Sequence, residues 1–346
     1  MSVEGVDVGP VTAWFAANVP AAKAPLSFSR VAGGHSCLTY IVTDEAGERF
    51  VLRRPPLGHV LATAHDVVRE HRVMSALWGT GVPVPEMLGV CPDAEVNGAP
   101  FYVMAFVDGV VLHNAADAVA KLPSDAARER AASSLVDALV ALHGVDIDSV
   151  GLGDLARRTG YLERQLKRWS AQWESSKTRE LPGMERLYAW LTSNRPEEPG
   201  SGVIHGDYRL GNLLHDASTG EVLAILDWEL CTLGDPLADV SYLLRSWVDG
   251  AAMAGVPPEV ASASSAPGFP SRDWVASRYA EATGMHLDDL RYWMAFNAWR
   301  SAAISEGVYR RYIDGDMGVV PEDVTRYRDS VDVAVESGLQ TAGLTS

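Results

Sequence analysis

Apolar positions in the first hundred residues come in short runs bounded by turn-forming residues. FSRVA (28–32), CLTYIVTD (37–44) and RFVLRR (49–54) are rich in β-branched and aromatic residues, and Gly, Asp and Glu-Ala-Gly turns separate them. That pattern predicts a hairpin followed by a third strand. The period then changes. From Asp66, a suitable N-cap, Val67, Glu70, Met74 and Leu77 recur at i, i+3, i+7 and i+10, which predicts one helix to Trp78, stopped by Gly79-Thr-Gly81-Val-Pro83-Val-Pro85. MLGVC and APFYVMAF return to strand character, and Val107-Asp108-Gly109 punctuates the chain.

After that break the period is helical. ERAASSLVDALVALH places apolar residues at 132, 135, 136, 139, 140 and 142, and GYLERQLKRWSAQWESSK lines Leu162, Leu166, Trp169 and Trp173 along one face with basic residues on the others. Two short apolar runs, GVIHGD and EVLAILDW, interrupt this half and end in polar residues. From Leu237 to Gly338 the chain returns to helices around a Pro-, Ser-, Ala- and Gly-rich loop at 256–272. The expected architecture is therefore α+β in two lobes. Residues 1–107 form a small antiparallel sheet with one main helix, and residues 108–346 form a larger, mostly helical lobe. No internal repeat is present.

Composition narrows the partners. The chain has 346 residues, 47% of them hydrophobic, enough for a core in each lobe, and a formal net charge of −16. Such acidity does not suit a nucleic-acid partner; it either steers a cationic substrate or simply keeps the surface soluble. Cys37, Cys91 and Cys231 are odd in number and widely spaced. They make neither a disulfide framework nor a zinc ribbon, and a reducing cytoplasm is expected. No basic-then-apolar leader opens the sequence and no stretch approaches 18 uncharged apolar residues, so no membrane association is expected.

The chemistry concentrates in His205-Gly-Asp207-Tyr-Arg-Leu-Gly-Asn212. An Asp and an Asn five positions apart in a polar loop have the H-x-D-x-x-x-x-N spacing of a kinase catalytic loop. A carboxylate there orients a nucleophilic hydroxyl and accepts its proton, while a neutral amide oxygen binds a metal, which gives Asp207 and Asn212 their candidate roles. Asp227 ends VLAILDW fifteen residues later as a hard oxygen ligand suited to Mg²⁺ on nucleotide phosphates. Singly, Asp207 reads as a turn residue and Asp227 as a strand terminator; together with the features of the first lobe they define a protein-kinase-like site.

Such a site needs a cation over the phosphates. Glu70 lies on the apolar face of its helix and requires a buried cationic partner; the two-residue period of RFVLRR assigns Arg53 to it and leaves Arg54 exposed. A surface Glu with two solvated arginines is the alternative. Between the first two strands, Gly33-Gly34-His35-Ser36-Cys37 is a turn whose backbone N–H groups and Ser36 hydroxyl can approach phosphates, although it is neither a Walker A loop nor GxGxxG.

With these residues in hand, the chain resembles the aminoglycoside phosphotransferase superfamily, and more closely the subfamily related to the kinase-like domain fused to some acyl-CoA dehydrogenases. VIHGDYRLGNLLHD and AILDWELCTLGDPLADVSYLL carry the superfamily resemblance. GYLERQLKRWSAQWE and FNAWRSAAISEGVYRR point to the subfamily, and matching stretches run from residue 28 to 314. The resemblance implies Asp207 as base, Asn212 and Asp227 as Mg²⁺ ligands, the backbone from Met104 to Phe106 as the adenine-binding hinge, and Asp239 as a brace of the catalytic loop. Asp239 also reads as a carboxylate complementing a helix N-terminus. His205 is expected to support the loop by hydrogen bonds. Two departures stand out: Arg53 where many kinases carry Lys, and Cys37 where related sequences often carry Asn.

The implied activity is transfer of the γ-phosphoryl group of ATP or GTP to a small-molecule hydroxyl. The acceptor is open between an aminoglycoside, a hydroxyacyl-CoA, and other small alcohols including sugars and macrolides. Arg157, Arg158, Arg164, Lys167 and Arg168 would suit the phosphates of an acyl-CoA, or simply form a solvated basic face. A non-catalytic nucleotide-binding scaffold and a metal-dependent hydrolase are the rival classes. Oligomeric state is not legible.

Overall fold

The computed structural model describes residues 3–31, 37–57, 66–198, 200–315 and 323–345. In chain order the helices and strands are α1 (Val8–Asn18), β1 (Ser27–Arg30), β2 (Leu38–Thr43), β3 (Arg49–Arg54), α2 (Val67–Leu77), β4 (Met87–Cys91), α3 (Ala94–Asn97), β5 (Phe101–Ala105), α4 (Ala115–Lys121) and α5 (Asp125–His143). They continue with α6 (Tyr161–Ser176), α7 (Pro182–Ser193), β6 (Gly202–Ile204), β7 (Leu213–His215), β8 (Val222–Ile225), β9 (Thr232–Gly234), α8 (Leu237–Ser246), α9 (Arg272–Thr283), α10 (Leu290–Ile313) and α11 (Thr325–Ala342). The strands and the helix expected in the first lobe are present, and Asp66 caps α2 by accepting from the Arg69 N–H.

Two compact units divide the chain. The first comprises Met1–Gly153, Leu210–Cys231 and Met253–Pro270; the second comprises Asp154–Arg209, Thr232–Ala252 and Ser271–Ser346. This division does not fall at residue 107. The first unit also holds α4, α5 and the β7–β8 hairpin, which Val110 and His215 tie in through a β-bridge.

The first unit is built on an antiparallel sheet of order β1-β2-β3-β5-β4. Strand alternation sends Tyr40, Val42, Phe50, Leu52, Phe101 and Val103 into a core closed by Val11, Phe15 and Val19. That α1 is a helix departs from the single helix expected in this region. Its Val11 and Phe15, one turn apart, are buried, but apolar residues lie all around it and give no clear stripe. The short α3 was likewise not expected. Burial of Val67, Glu70, Val73, Met74 and Leu77 marks the inner face of α2.

Arg54 corrects the assignment of RFVLRR. It is buried rather than exposed, at 5% accessibility, with Nη1 donating to Gly5 O (2.7 Å) and Asn97 O (2.9 Å). The alternation is right, but the face shared with Leu52 is covered by the chain's N-terminal segment, which an exposed reading of that face left out.

The second unit is helical around the two-stranded β6–β9 ladder. Its long helix α10 buries Tyr292, Trp293, Phe296 and Trp299, and Leu162, Leu166, Trp169 and Trp173 of α6 are buried as their spacing predicts. Among the described residues no helix is long and apolar enough to cross a membrane.

Candidate active site

The first unit brings together three of the candidates drawn from distant parts of the chain. Arg53, on β3, places Nε 3.2 Å from Glu70 Oε2 and Nη2 2.6 Å from Asp227 Oδ1, a partner 174 positions away. A guanidinium can serve two carboxylates at once through separate nitrogens, which the point charge of a Lys does less well; this accounts for Arg at the position. Burial opposes the Arg53 charge, but Tyr102, Glu70 and Asp227 outweigh it and hold the group protonated.

Glu70 is almost wholly buried, accepts from the Tyr102 hydroxyl at 3.2 Å, and leaves Oε1 without a hydrogen-bond partner. Burial pushes its carboxyl up to about 7, Arg53 pulls it down, and the charges of Asp227 and Glu229 raise it again. Cys37 lies beside this group: its Sγ and the carboxylates of Glu70 and Glu229 fall within 4.8 Å of one another, and burial pushes the thiol up to about 12. Cys37, at the end of the glycine-rich turn, and Glu229, within AILDWELC, join the site without a role assigned to them from the sequence.

Asp227 is the only non-glycine residue with positive φ among the described residues, at φ 65° and ψ 61°. This left-handed backbone strains an ordinary L residue and is held by its surroundings, a setting common at functional sites. The preceding Leu226 donates its N–H to Asn212 O at 2.8 Å, and Leu213 pairs with Ile225 across the β7–β8 ladder. The ladder therefore sets Asn212, at the head of β7, against the end of β8, where Asp227 follows. The two residues thus stand side by side on the backbone, and their side chains carry the hard oxygen donors that a divalent ion such as Mg²⁺ takes.

A cavity of about 190 Å³ opens within this unit, lined by Val31, Cys37, Thr39, Arg53, Met74, Tyr102, Met104, Leu226 and Asp227. Met104 thus faces the same space as Arg53 and Asp227. Phe106 is not part of that lining; Arg49 covers its ring at 3.9 Å and pairs with Asp108. Gly33, Gly34, His35 and Ser36 lie outside the described residues.

Asp207 belongs to the second unit. Its backbone N–H donates to His205 Nδ1 at 3.2 Å, the supporting role expected of His205. Fully buried Asp239, in the first turn of α8, accepts from the N–H groups of His205 (2.6 Å) and Gly206 (2.7 Å), so it does brace the loop. From the other side Arg300 Nη2 donates to Gly206 O at 3.0 Å. Tyr242, one helical turn after Asp239, shares a side-chain hydrogen bond with Asp207; burial first, then the Asp207 charge, raises its phenol well above the usual range. Arg209 Nε stands 3.6 Å from Asp207 Oδ1. Sequence reasoning missed Tyr242, Arg209 and Arg300, the last within the quoted FNAWRSAAISEG stretch.

The sheet with its buried Arg–Glu pair, the loop ending in Asn212 and the strained Asp227 define the kinase-like class of phosphotransferase folds. Comparison with known proteins gives the family: the model of the phosphotransferase enzyme family matches residues 27–275, and the chain belongs to that family. It is 34% identical over 294 residues to acyl-CoA dehydrogenase family member 10 of Mus musculus, a match covering 84% of this chain but 27% of that protein. The chain therefore spans about a quarter of that relative's length. Among solved structures it is similar to a putative aminoglycoside phosphotransferase from Ralstonia eutropha, with 32% identity, a TM-score of 0.81 and 98% of both chains covered. The fold is also that of a thermostable mutant of aminoglycoside phosphotransferase APH(4)-Ia in ternary complex with AMP-PNP and hygromycin B (TM-score 0.59, 16% identity, covering 90% of this chain and 94% of that one).

Proposed function

We propose that this chain transfers the γ-phosphoryl group of ATP or GTP to the hydroxyl of a small molecule, with Asp207 as base and Mg²⁺ held by Asn212 and Asp227. The observation that carries this reading is Arg53 joined to both Glu70 and Asp227, the arrangement in which a strand cation addresses phosphates while a helix carboxylate fixes it. Bound Mg²⁺ would neutralise phosphate charge. Asp207 accepts the acceptor's hydroxyl proton as its oxygen bonds to the γ-phosphorus; the bond from that phosphorus to the β,γ-bridging oxygen breaks, and a nucleoside diphosphate leaves. Tyr242 and Arg209 orient the Asp207 carboxylate. Met104, lining the cavity, marks the start of the segment to Phe106 proposed to meet the base. The glycines with His35 and Ser36 are proposed to cover the phosphates.

The acceptor in this reading is a hydroxyacyl-CoA or another small alcohol, in keeping with the acyl-CoA dehydrogenase relatives; aminoglycosides and macrolides are the alternatives that the aminoglycoside phosphotransferase likeness supports. The test is to incubate purified protein with ATP or GTP, Mg²⁺ and a broad set of soluble metabolites and antibiotics, following the mass gain of one phosphoryl group. Mg²⁺-dependent transfer that vanishes in Asp207→Ala is the expected result. Tight nucleotide binding without transfer to any acceptor would indicate a scaffold, and phosphate release from simple esters without nucleotide would indicate a hydrolase.

A further inference from the structure

Two consecutive residues of α2 meet the turn that begins at Asp227. Glu70 meets its acidic side chains: a Glu70 carboxylate oxygen, one of Glu229 and Cys37 Sγ lie within 4.8 Å of one another, and Arg53 joins Glu70 to Asp227. Arg69 meets its backbone. The Arg69 Nη2 donates to Cys231 O at 2.7 Å, across 162 positions, from a half-buried side chain whose own backbone N–H is fixed by the Asp66 cap at 3.0 Å. All of these residues belong to the first unit.

The turn is short and strained. Asp227 opens it at φ 65°, Trp228–Leu230 make a single 3-10 turn, and Cys231 closes it by donating its N–H to Trp228 O at 3.0 Å. Its near end is tied to β8, where the fully buried Trp228 donates Nε1 to Ile225 O at 2.9 Å and Leu226 donates to Asn212 O. A left-handed conformation at a non-glycine residue persists only where its surroundings over-determine it. At the far end the tie to α2 is the Arg69 guanidinium, and a charged donor bonds a carbonyl more strongly than a neutral one. Such a tie has something to oppose, because Asp227 and Glu229 act on Glu70 as like charges. Arg53 offsets that repulsion at the side chains, and Arg69 offsets it at the backbone.

We propose that Arg69 is a positioning residue for the metal site: by holding Cys231 O it keeps the turn closed against α2 and so fixes the direction of the Asp227 carboxylate. This rests on the reading of Asp227 and Asn212 as Mg²⁺ ligands and adds to it a residue that acts through the backbone. Without the Arg69 bond the turn is free to relax toward the right-handed region, which swings the carboxylate while leaving the sheet in place. The same helix supplies a comparison. Arg72, three positions on, likewise donates Nη2 to a backbone carbonyl, Gly151 O at 2.8 Å, but that carbonyl lies outside the turn.

The test uses the full chain as Arg69→Met, Arg69→Lys and Arg72→Met. Binding of a non-hydrolysable ATP or GTP analogue is read by titration calorimetry over a series of Mg²⁺ concentrations, with thermal unfolding recorded for each variant. Arg69→Met should need about tenfold more Mg²⁺ to reach half of the metal-supported affinity, the scale of one lost charge-assisted bond, and should match the parent without Mg²⁺. Arg69→Lys keeps a cationic donor and should return to within about threefold of the parent. Arg72→Met should leave the Mg²⁺ requirement unchanged. The proposal is overturned if Arg69→Met keeps the parent's requirement, or if Arg72→Met raises it as much, which would make the effect one of α2 stability alone. Where thermal unfolding shows Arg69→Met to be unfolded, Arg69→Gln, with a shorter neutral donor, replaces it under the same criterion. A parent chain whose affinity for both analogues is independent of Mg²⁺ removes the metal reading and the proposal with it; a Mg²⁺-dependent parent with an unaltered Arg69 variant removes the proposal alone.

Discussion

Glu70 shows how one residue reports on its site. Its carboxyl rises from an ordinary 4.5 to about 7, chiefly through burial. Between those values the folded chain keeps a proton that the unfolded chain has released, so this group's contribution to stability falls as pH rises from about 4.5 through 7. Full ionisation costs on the order of 3 kcal/mol by the size of that shift. Urea unfolding of Glu70→Gln should show a shallower decline over that window than the parent; parallel pH profiles would contradict the role of burial. The pair itself was legible because a Glu on an apolar helix stripe demands a cation. The fate of Arg54 was not, because the carbonyls of Gly5 and Asn97 that receive it lie 49 and 43 positions away.

At the scale of elements, α8 connects the loop after β6 to the rest of its unit. Asp239 accepts two backbone N–H bonds from that loop at full burial, while Asn297 of α10 donates to Ala238 O and Ser241 Oγ on the same helix. Removing the carboxylate strands two buried donors, so Asp239→Ala should lose about 3 kcal/mol of stability, read from chemical denaturation. It should also lower kcat more than nucleotide affinity, since the loop it braces carries Asp207 and not the cavity lining. An unchanged denaturation midpoint would remove Asp239 as the brace. The long periodic helices and the alternating strands were readable because period alone fixes them. Helix α1 was not, because apolar residues lie on all its sides. Tyr242 and Arg300 escaped for a different reason: both lie in stretches that carry the family resemblance, but no motif gives either a role, and Arg300 reaches Gly206 across 94 positions that only the packing of α8 and α10 brings together.

For the whole molecule, charge and chemistry point in different directions. The net charge of −16 belongs to the whole chain, while the group beside Asp207 is local: Arg209 stands 3.6 Å from its carboxylate and Tyr242 shares a hydrogen bond with it. Average charge therefore says little about the acceptor, whose chemistry is set by a few side chains. The central claim is a division of labour between Asp207, which meets the acceptor, and Asp227, which with Asn212 holds the metal. The most direct measurement is nucleotide affinity with and without Mg²⁺ for the parent chain, Asp207→Ala and Asp227→Ala, together with the rate of phosphoryl transfer. Asp227→Ala should lose the Mg²⁺-supported part of nucleotide binding. Asp207→Ala should keep it while losing transfer by about 10³-fold, the scale of a missing general base. Equal loss of nucleotide affinity in both variants would contradict the account.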